Sequence, residues 1–332
     1  MRIGLVYDRF GDAEAPPGAP PDWDAEYEPE ETVAALEAAL RRLGHTPVRV
    51  GNVPALLNAL RTTPPGARLL DLDAAVTIAE SYGSRNREAH APILLELAGV
   101  PTLGSDALSL SLALDKHLTK TVVRAAGVRC PEGAVLPPGG DANGLAAALG
   151  VPLIVKPRYE GTAKGIAPSS RVETAAALRA EAARQHALYR QDLVAEAFVD
   201  GAEFTVGVVG TGDAARALPP LQRAVDAASG IGLHALPDAG QEWTLGGDLS
   251  PALDAELAEA ALAAHRALEC RDFSRSDFRV APDGTVWFIE INPLPTFAPD
   301  GTFAILAELD GQPYDAFLSD VLAGGLRRLG VG

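Results

Sequence analysis

The sequence of 332 residues has few cysteines, few lysines and no long apolar segment, and each scarcity excludes a class of protein. The two cysteines, Cys130 and Cys270, are too far apart for a CxxC motif and too few for a disulfide framework, so we expect buried thiols. No segment approaches the roughly 20 apolar residues of a membrane span, and the first residues lack the apolar run of a signal peptide. We therefore expect a cytoplasmic protein that no membrane holds.

Positive charge is scarce as well. The formal net charge is -16 at pH 7, from 44 acidic and 28 basic residues. Nucleic acids and anionic membranes are bound through clustered lysine and arginine, and a chain this acidic repels both. The composition therefore favours small-molecule partners.

Only four of the basic residues are lysines, and all lie within residues 116–164: Lys116, Lys120, Lys156 and Lys164. Chance placement in an arginine-rich sequence is one explanation. The other is chemical, because a lysine ammonium contacts phosphate oxygens as a compact point charge, which the planar guanidinium of arginine does not reproduce. The clustering therefore indicates a phosphate-binding region.

The order of apolar and amphipathic segments predicts an α/β protein of three domains. Residues 1–104 alternate apolar strands with amphipathic helices, which is typical of a parallel sheet with helices on both faces. Residues 105–190 and 191–332 form the predicted second and third domains, each of which mixes strands and helices. The dipeptide Asp200-Gly201 predicts a tight hairpin between two strands of the third domain.

The segment FIEINPLP, residues 288–295, is an apolar strand that carries an acid and an amide. Successive side chains of a strand point to opposite faces, so Phe288, Glu290 and Asn292 are expected on one face. A turn signal at residues 282–284 separates this strand from a preceding one and predicts a hairpin.

A hairpin centred on Pro282 and Asp283 would place Arg275 opposite Glu290 and Asp277 opposite Phe288. Four polar side chains then share one face: Arg275, Asp277, Glu290 and Asn292. The three that carry oxygen suit Mg²⁺, which prefers carboxylates and completes its octahedron with water and phosphate oxygens. The alternative is a solvent-facing strand with a single ion pair.

The segment VKPRYEGTAKG, residues 155–165, combines lysines with glycines. Lys156 ends an apolar strand, and the loop after it offers Gly161, Thr162, Lys164 and Gly165. Small residues allow close backbone approach and the polar ones donate to phosphate oxygens, although a purely structural loop would also explain the glycines. Candidate Mg²⁺ ligands together with phosphate-reaching lysines, in a chain without a Walker A, kinase or GxGxxG motif, predict a nucleotide held between two sheets.

Five segments, in order between residues 99 and 295, resemble the ATP-grasp superfamily and within it the D-alanine–D-alanine ligase family. They are GVPTLGSDALSLSLALDKHLTK, LIVKPRYEGTAKGI, LVAEAFVDGAEFTV, CRDFSRSDFRV and FIEINPLP. The resemblance implies an ATP-grasp fold: a Rossmann-like, parallel-sheet N-terminal domain (the pre-ATP-grasp domain) is followed by two ATP-grasp subdomains. It also implies ATP, two Mg²⁺ ions with Mn²⁺ as an alternative, and a homodimer.

The same resemblance assigns roles to individual residues. The phosphates of ATP would be contacted by Lys116, Lys156 and the loop Glu160–Gly165, which includes Gly161, Thr162 and Lys164. Adenine would meet Glu196 and the backbone of Ala197, Phe198 and Val199, and the ribose would meet Glu203. The metal ligands would be Asp277, Glu290 and Asn292, and the catalytic residues Lys156 and Arg275, the latter stabilising the transferring phosphoryl group.

The activity implied is the ATP-dependent joining of a carboxylate to an amine, as an amide or peptide bond. The carboxylate takes the γ-phosphoryl group of ATP to become an acyl phosphate, which the amine of an amino acid or small peptide attacks with loss of phosphate. The alternative is a nucleotide-binding regulatory or scaffold protein that kept the fold and lost turnover. The intact set of Arg275, Asp277, Glu290 and Asn292 favours the ligase.

Three stretches depart from the ligase pattern where the family contacts D-alanine. The Gly-Gly-x-Ser-x-Glu motif after the first strand is absent, Thr296 and Gly301 replace the expected residues after NPLP, and residues 223–240 replace a tyrosine-bearing loop. We therefore expect a substrate pair other than D-alanine. The candidates for new substrate contacts are His234 and the acidic residues Asp22, Asp24, Glu26 and Glu28.

Overall fold

The computed structural model describes residues 1–236 and 249–331, which form three β-sheets with helices packed around them. The first sheet has the strand order β2-β1-β3-β4 and all its neighbours are parallel. Its strands are β1 (Arg2–Tyr7), β2 (Thr46–Gly51), β3 (Ala74–Ile78) and β4 (Thr102–Leu103), and its helices α1 (Glu30–Arg42), α2 (Val53–Thr62) and α3 (His90–Leu97). The predicted α/β fold with an N-terminal parallel sheet is confirmed.

Both faces of this sheet are buried. Ile3 and Leu5 of β1 pack with Val33 and Leu36 of α1 on one face, while Val6 packs with residues of α2 and α3 on the other. The helix α1 places its apolar residues on one stripe, which is why it covers the sheet. This two-faced burial is what a near-continuous apolar β1 requires.

The second sheet is antiparallel, with the order β5-β8-β6-β7. Helices α6 and α7 cover one face of it, and α4 and α5 precede it in the chain. Its strands are β5 (Gly133–Leu136), β6 (Leu153–Pro157), β7 (Arg171–Val172) and β8 (Leu193–Ala197), and the helices are α4 (Ala107–Leu114), α5 (Lys116–Ala125), α6 (Ala142–Leu149) and α7 (Ala175–Tyr189). β8 therefore belongs to this sheet although it follows residue 190, and the division into three domains stays a prediction.

The third sheet is also antiparallel, with the order β10-β9-β12-β13 and β11 paired to β9. Helix α8 packs on one face, and α10 returns to α1 of the N-terminal unit. The strands are β9 (Ala202–Val209), β10 (Arg216–Ala217), β11 (Leu221–Arg223), β12 (Phe273–Val280) and β13 (Val286–Asn292), and the helices are α8 (Pro251–Ala267), α9 (Thr302–Leu309) and α10 (Tyr314–Arg328).

The predicted hairpin at Asp200-Gly201 is wrong. β8 pairs with β5 and β6, whereas β9 pairs with β10, β11 and β12, so the dipeptide joins two different sheets. The local turn signal was outweighed by the pairing partners that the rest of the chain supplies. Gly201 has φ +132° and lies so close to Val280 that an added Cβ would stand 2.0 Å from its carbonyl oxygen.

Two further expectations can be compared with the structure. Cys130 and Cys270 are buried and unbonded to each other, as predicted. Within residues 1–236 and 249–331, no helix combines the length and apolar character that crossing a membrane requires.

We predict that Gly201→Ala lowers the free energy of unfolding by about 3 kcal/mol, because a left-handed backbone and a steric clash act together. Gly284→Ala is the matched control, since Gly284 has φ +87° but no atom near an added Cβ. It should lose only about 1 to 2 kcal/mol. Urea unfolding of both variants measures the difference, and equal losses would contradict the close approach at Gly201.

Candidate active site

A cavity of about 320 Å³ is lined by residues of both the second and the third sheet. β6 and β8 provide one side, and β9, β12 and β13 provide the other, with the loop after β6 between them. The predicted nucleotide and metal residues border this cavity with three exceptions, Gly161, Gly165 and Asn292. The fold therefore brings together residues that lie up to 174 positions apart, from Lys116 to Glu290.

The register of the β12–β13 hairpin differs from the predicted one. Asp277 lies directly opposite Glu290, and Arg275 opposite Asn292. Phe278 pairs with Phe288, so Ile289 is an extra residue in β13 and forms a bulge. A turn one residue longer than expected, together with this bulge, shifts the pairing.

Because of the bulge, the prediction that Phe288, Glu290 and Asn292 share one face of β13 is wrong. Phe288 is fully buried in the core under α8, whereas Ile289 and Glu290 both border the cavity. Phe288 and Glu290 therefore do not share a face, as strict alternation would require. Asn292 accepts a hydrogen bond from the backbone N–H of Leu294 (2.7 Å) and does not border the cavity in the described chain.

Lys116 and Glu290 form an ion pair across the cavity wall. The Lys116 ammonium lies 3.2 Å from Glu290 Oε2 and donates to the carbonyl oxygen of Glu160 at 2.5 Å. Burial alone would raise the pKa of Glu290, but Lys116, Lys156 and Arg275 lower it to about 2. Glu290 is therefore a carboxylate throughout the neutral range.

Two lysines share the carboxylate of Glu196 at the floor of the cavity. Lys120 approaches Glu196 Oε2 to 2.5 Å and Lys156 to 3.1 Å. Burial lowers the pKa of Lys120 to about 8, whereas the pKa of Lys156 is raised because Glu196 and Glu290 outweigh its burial. One carboxylate thus faces two ammonium groups, and Lys156 also borders the open space.

The loop after β6 is held in an unusual backbone conformation. Thr162 (φ +45°) and Ala163 (φ +55°) are both left-handed, which is costly for residues with a side chain and rare for a β-branched one. Gly161 donates its N–H to Glu26 Oε1 at 2.8 Å, and an added Cβ there would lie 2.4 Å from that oxygen. The N-terminal acidic segment therefore braces this loop.

The Lys164 ammonium is engaged by carboxylates of the protein, and not held open for the phosphate contact predicted for it. Its ammonium is paired with Glu26 (2.5 Å) and Glu160 (2.6 Å), and Arg87 Nη2 donates to both carboxylate oxygens of Glu26 at 2.7 and 2.9 Å. Lys164 borders the cavity, but its charge is already compensated. Its contact with phosphate stays a prediction that would require these pairs to rearrange.

Glu203, the predicted ribose contact, lies between two basic side chains. Arg279 pairs with it at 2.8 Å, and His234 Nδ1 lies 3.3 Å away. Burial raises the pKa of Glu203 and lowers that of His234 to about 4, where Arg223 adds to the effect of burial. His234 is neutral near pH 7. Residues 237–240 of the altered loop lie outside the described residues.

A second group of carboxylates lies behind the loop, at the N-terminal unit. Oxygens of Glu26, Glu80 and Glu88 lie within 4.8 Å of one another. Burial raises the pKa of Glu80, and it raises that of Glu88 to about 7 despite the nearby Arg87. Protonated acids are poor metal ligands, and Arg87 and Lys164 already neutralise Glu26, so this group does not resemble a Mg²⁺ site.

Three residues of the site were not predicted from the sequence: Thr205, Arg223 and Arg279. Arg279 had a usable signal, because it lies two residues after Asp277 on the same strand. Thr205 and Arg223 had none, since they reach the site through β9 and β11.

Comparisons with known proteins identify the family and the fold. A family model described as the D-ala D-ala ligase C-terminus matches residues 140–323. The D-alanine–D-alanine ligase of Cupriavidus necator is 34% identical over 230 residues, 69% of each chain. An uncharacterised protein of Sinorhizobium fredii, y4sG, is 28% identical and aligns over 97% of this chain and 94% of its own length.

Two solved structures share the fold. The D-alanine–D-alanine ligase from Bacillus anthracis, complexed with ATP, aligns over 100% of this chain and 99% of its own with a TM-score of 0.72 at 20% identity. The VanG D-Ala:D-Ser ligase from Enterococcus faecalis aligns over 97% and 98% with a TM-score of 0.73 at 17% identity. The protein has the ATP-grasp fold. It belongs to the D-alanine–D-alanine ligase family, a family of ATP-dependent ligases that form carbon–nitrogen bonds and use ATP and Mg²⁺.

The raised pKa of Glu88 predicts a pH dependence of stability. Its pKa in the folded protein is about 7 and therefore above the unfolded value, so the folded state binds more protons and the free energy of unfolding falls as pH rises through this range. Glu88→Gln stays neutral and should reduce the loss of stability between pH 6 and pH 8 by about 1 kcal/mol.

Urea unfolding at both pH values measures this difference. Glu96→Gln is the control, because Glu96 is exposed on the neighbouring helix α3 and should keep the wild-type dependence. An unchanged pH dependence in Glu88→Gln would contradict the buried, protonated state of this carboxyl group.

Proposed function

We propose that the protein is an ATP-dependent carboxylate–amine ligase whose substrates are amino acids or small peptides other than a pair of D-alanines. The observation that carries this is the convergence of Lys116, Lys156 and Arg275 with the opposed carboxylates of Asp277 and Glu290 on one cavity. Cations for phosphate and carboxylate oxygens for metal meet there. Phosphoryl transfer needs this combination of charges.

The cationic side supports binding of the ATP phosphates. Lys156 is charged and borders the cavity, and Lys116 reaches it from the start of α5. Arg275 pairs with Asp277 through Nη2 at 3.1 Å, and its buried Nε has no hydrogen-bond partner among the described residues. An unpaired guanidinium donor beside a cavity fits an anionic group such as the transferring phosphoryl.

The remaining nucleotide contacts follow the same cavity wall. Ala197, Phe198 and Val199 border it next to Glu196 and would meet adenine, largely through their backbone, because the Glu196 carboxylate is held by two lysines. Glu203 lies on the adjoining strand β9 and would meet the ribose hydroxyls. With these contacts, the γ-phosphate end of ATP would lie towards Lys116 and Arg275.

The acidic side fits a divalent metal. Asp277 and Glu290 face each other on neighbouring strands, Glu290 is ionised, and carboxylate oxygens are the ligands that Mg²⁺ prefers. Asn292 lies opposite Arg275 and would be the third metal ligand. Its amide oxygen would then bind the metal while it also accepts the hydrogen bond from the backbone N–H of Leu294. Bound Mg²⁺ would neutralise charge on the phosphates.

The chain itself needs no nucleophilic side chain for this reaction. A substrate carboxylate oxygen attacks the γ-phosphorus and ADP leaves, and then the amine nitrogen of the second substrate attacks the acyl carbon, loses a proton and displaces phosphate. Lys116, Lys156 and Arg275 would hold the phosphates and offset the charge that develops. The strained loop around Thr162 would cover the site and exclude water.

The acidic residues considered for a substrate ammonium are mostly engaged within the protein, which supports a substrate pair other than D-alanine. Three of the four acidic residues considered for a substrate ammonium have protein partners: Asp22 accepts from Tyr189 (2.6 Å), Glu26 binds Arg87 and Lys164, and Glu28 accepts from Thr32 (2.7 Å) and Thr296 (2.8 Å). None of the four borders the cavity that the described residues enclose. Thr296, Gly301 and Thr302 do border it, so new substrate contacts belong there.

Glu290→Gln should reduce turnover by roughly 100-fold or more, because it removes the charge of a proposed metal ligand and nearly preserves its shape. Glu259→Gln, an exposed change on α8, is the matched control and should leave turnover unchanged. Phosphate release at saturating Mg²⁺ measures both. A Glu290→Gln variant that keeps most of the wild-type activity would remove the metal role.

The substrate is tested by measuring release of ADP and phosphate with a panel of amino acids and small peptides. We expect release with D-alanine alone to stay near background, because a site built for other polar groups rejects an analogue by roughly 10⁴-fold. Another amino acid or peptide should stimulate it. Turnover of D-alanine at about 1 s⁻¹ or above would restore the plain D-alanine ligase assignment, and no stimulation by any compound would favour a nucleotide-binding protein without turnover.

A further inference from the structure

Arg223 lies between the proposed metal site and the proposed substrate pocket. It ends β11, borders the cavity and is only 7% exposed. Its Nε donates to Thr205 Oγ1 at 2.6 Å, and its Nη2 donates to Thr302 Oγ1 at 2.9 Å. Thr205 is directly opposite Asp277 in the sheet, and Thr302 is the first residue of α9.

The contact with Thr205 decides where that hydroxyl points. A guanidinium can only donate, so the Thr205 oxygen must accept from Arg223 and turn its own hydrogen elsewhere. It donates to Asp277 Oδ1 at 2.6 Å. Asp277 Oδ2 accepts from Arg275 at 3.1 Å, so both carboxylate oxygens are oriented while each keeps a further lone pair for a metal.

The contact with Thr302 works in the same way. Its oxygen accepts from Arg223, so its hydrogen must also point elsewhere. Within the described chain this hydroxyl has no acceptor, although Thr302 is 94% buried and borders the cavity. The hydroxyl is thereby a hydrogen-bond donor available to a ligand, and it suits a carbonyl or carboxylate oxygen.

We infer that Arg223 is a positioning residue that fixes two hydroxyl groups as donors: Thr205 towards the metal-site carboxylate of Asp277, and Thr302 towards an oxygen of the substrate. This inference rests on the proposed ligase function. It gives a role to the two hydrogen bonds that the buried guanidinium donates to hydroxyl groups at the cavity. It also predicts that charge alone cannot replace the guanidinium, because a lysine ammonium lacks the planar fork that reaches both threonines.

The role inferred for Thr205 at the metal site is tested by measuring Mn²⁺ binding to the protein–ADP complex with electron paramagnetic resonance. This measurement requires no turnover. Thr205→Val removes the hydroxyl at nearly constant volume and should weaken Mn²⁺ binding by about 10-fold, the effect typical of an outer-shell hydrogen bond. Thr205→Ser should restore it. Ser276→Ala is the matched control, since Ser276 is equally buried next to Asp277 but has no hydrogen-bond partner among the residues described.

Variants of Arg223 and Thr302 test the rest of the inference. Arg223→Lys should weaken Mn²⁺ binding as much as Arg223→Gln does, while circular dichroism shows that both variants fold. Thr302→Val should raise KM for the substrate identified in the panel by about 10-fold and leave Mn²⁺ binding unchanged, and Thr302→Ser should behave as wild type.

Two results would overturn the inference: wild-type Mn²⁺ binding in Thr205→Val, or its full retention in Arg223→Lys. Failure of the proposed function would look different, because the wild-type protein would then release no phosphate with any compound of the panel, whether or not it binds Mn²⁺ together with ADP. A Thr302→Val variant with an unchanged KM would contradict the substrate contact inferred for Thr302. Mn²⁺ binding and phosphate release therefore test the inference and the ligase function separately.

Discussion

The balance of buried charge between lysines and carboxylates is the constraint on which the cavity depends. A buried ion is costly unless it has a partner of opposite charge. Here two lysine ammonium groups, those of Lys120 and Lys156, share the single carboxylate of Glu196. Glu290 keeps its charge only because Lys116, Lys156 and Arg275 stand near it. The surplus of positive charge on this wall is therefore held in place by the protein and is ready for an anionic ligand.

Strand pairing converts this charge balance into a defined geometry. β9, β12 and β13 align Thr205, Asp277 and Glu290 side by side across three strands. The bulge at Ile289 brings Glu290 to the cavity and returns Phe288 to the core. A sheet position is more rigid than a loop position, so the proposed metal ligands and the hydroxyl that orients one of them need little reorganisation.

The acidic N-terminal segment, residues 22–28, contacts residues that border the cavity without bordering it itself. Glu26 binds Lys164, Arg87 and the backbone of Gly161, and thereby braces a loop that contains two left-handed residues with side chains. Glu28 accepts a hydrogen bond from Thr296, which also borders the cavity. This segment therefore contacts the cavity at the loop after β6 and at Thr296, and Glu26 and Glu28 serve the protein's own cations and hydroxyls.

The sequence by itself determined the parallel N-terminal sheet and which residue types would meet at the site, because apolar periodicity and local motifs carry that information. Only the tertiary structure decided the hairpin register, the partner of Lys164 and the positions of Thr205 and Arg223. Those depend on which strands become neighbours and on a single-residue bulge, and a shift of one residue exchanges the two faces of a strand. Pairing energies are summed over the whole sheet, so no short segment contains them.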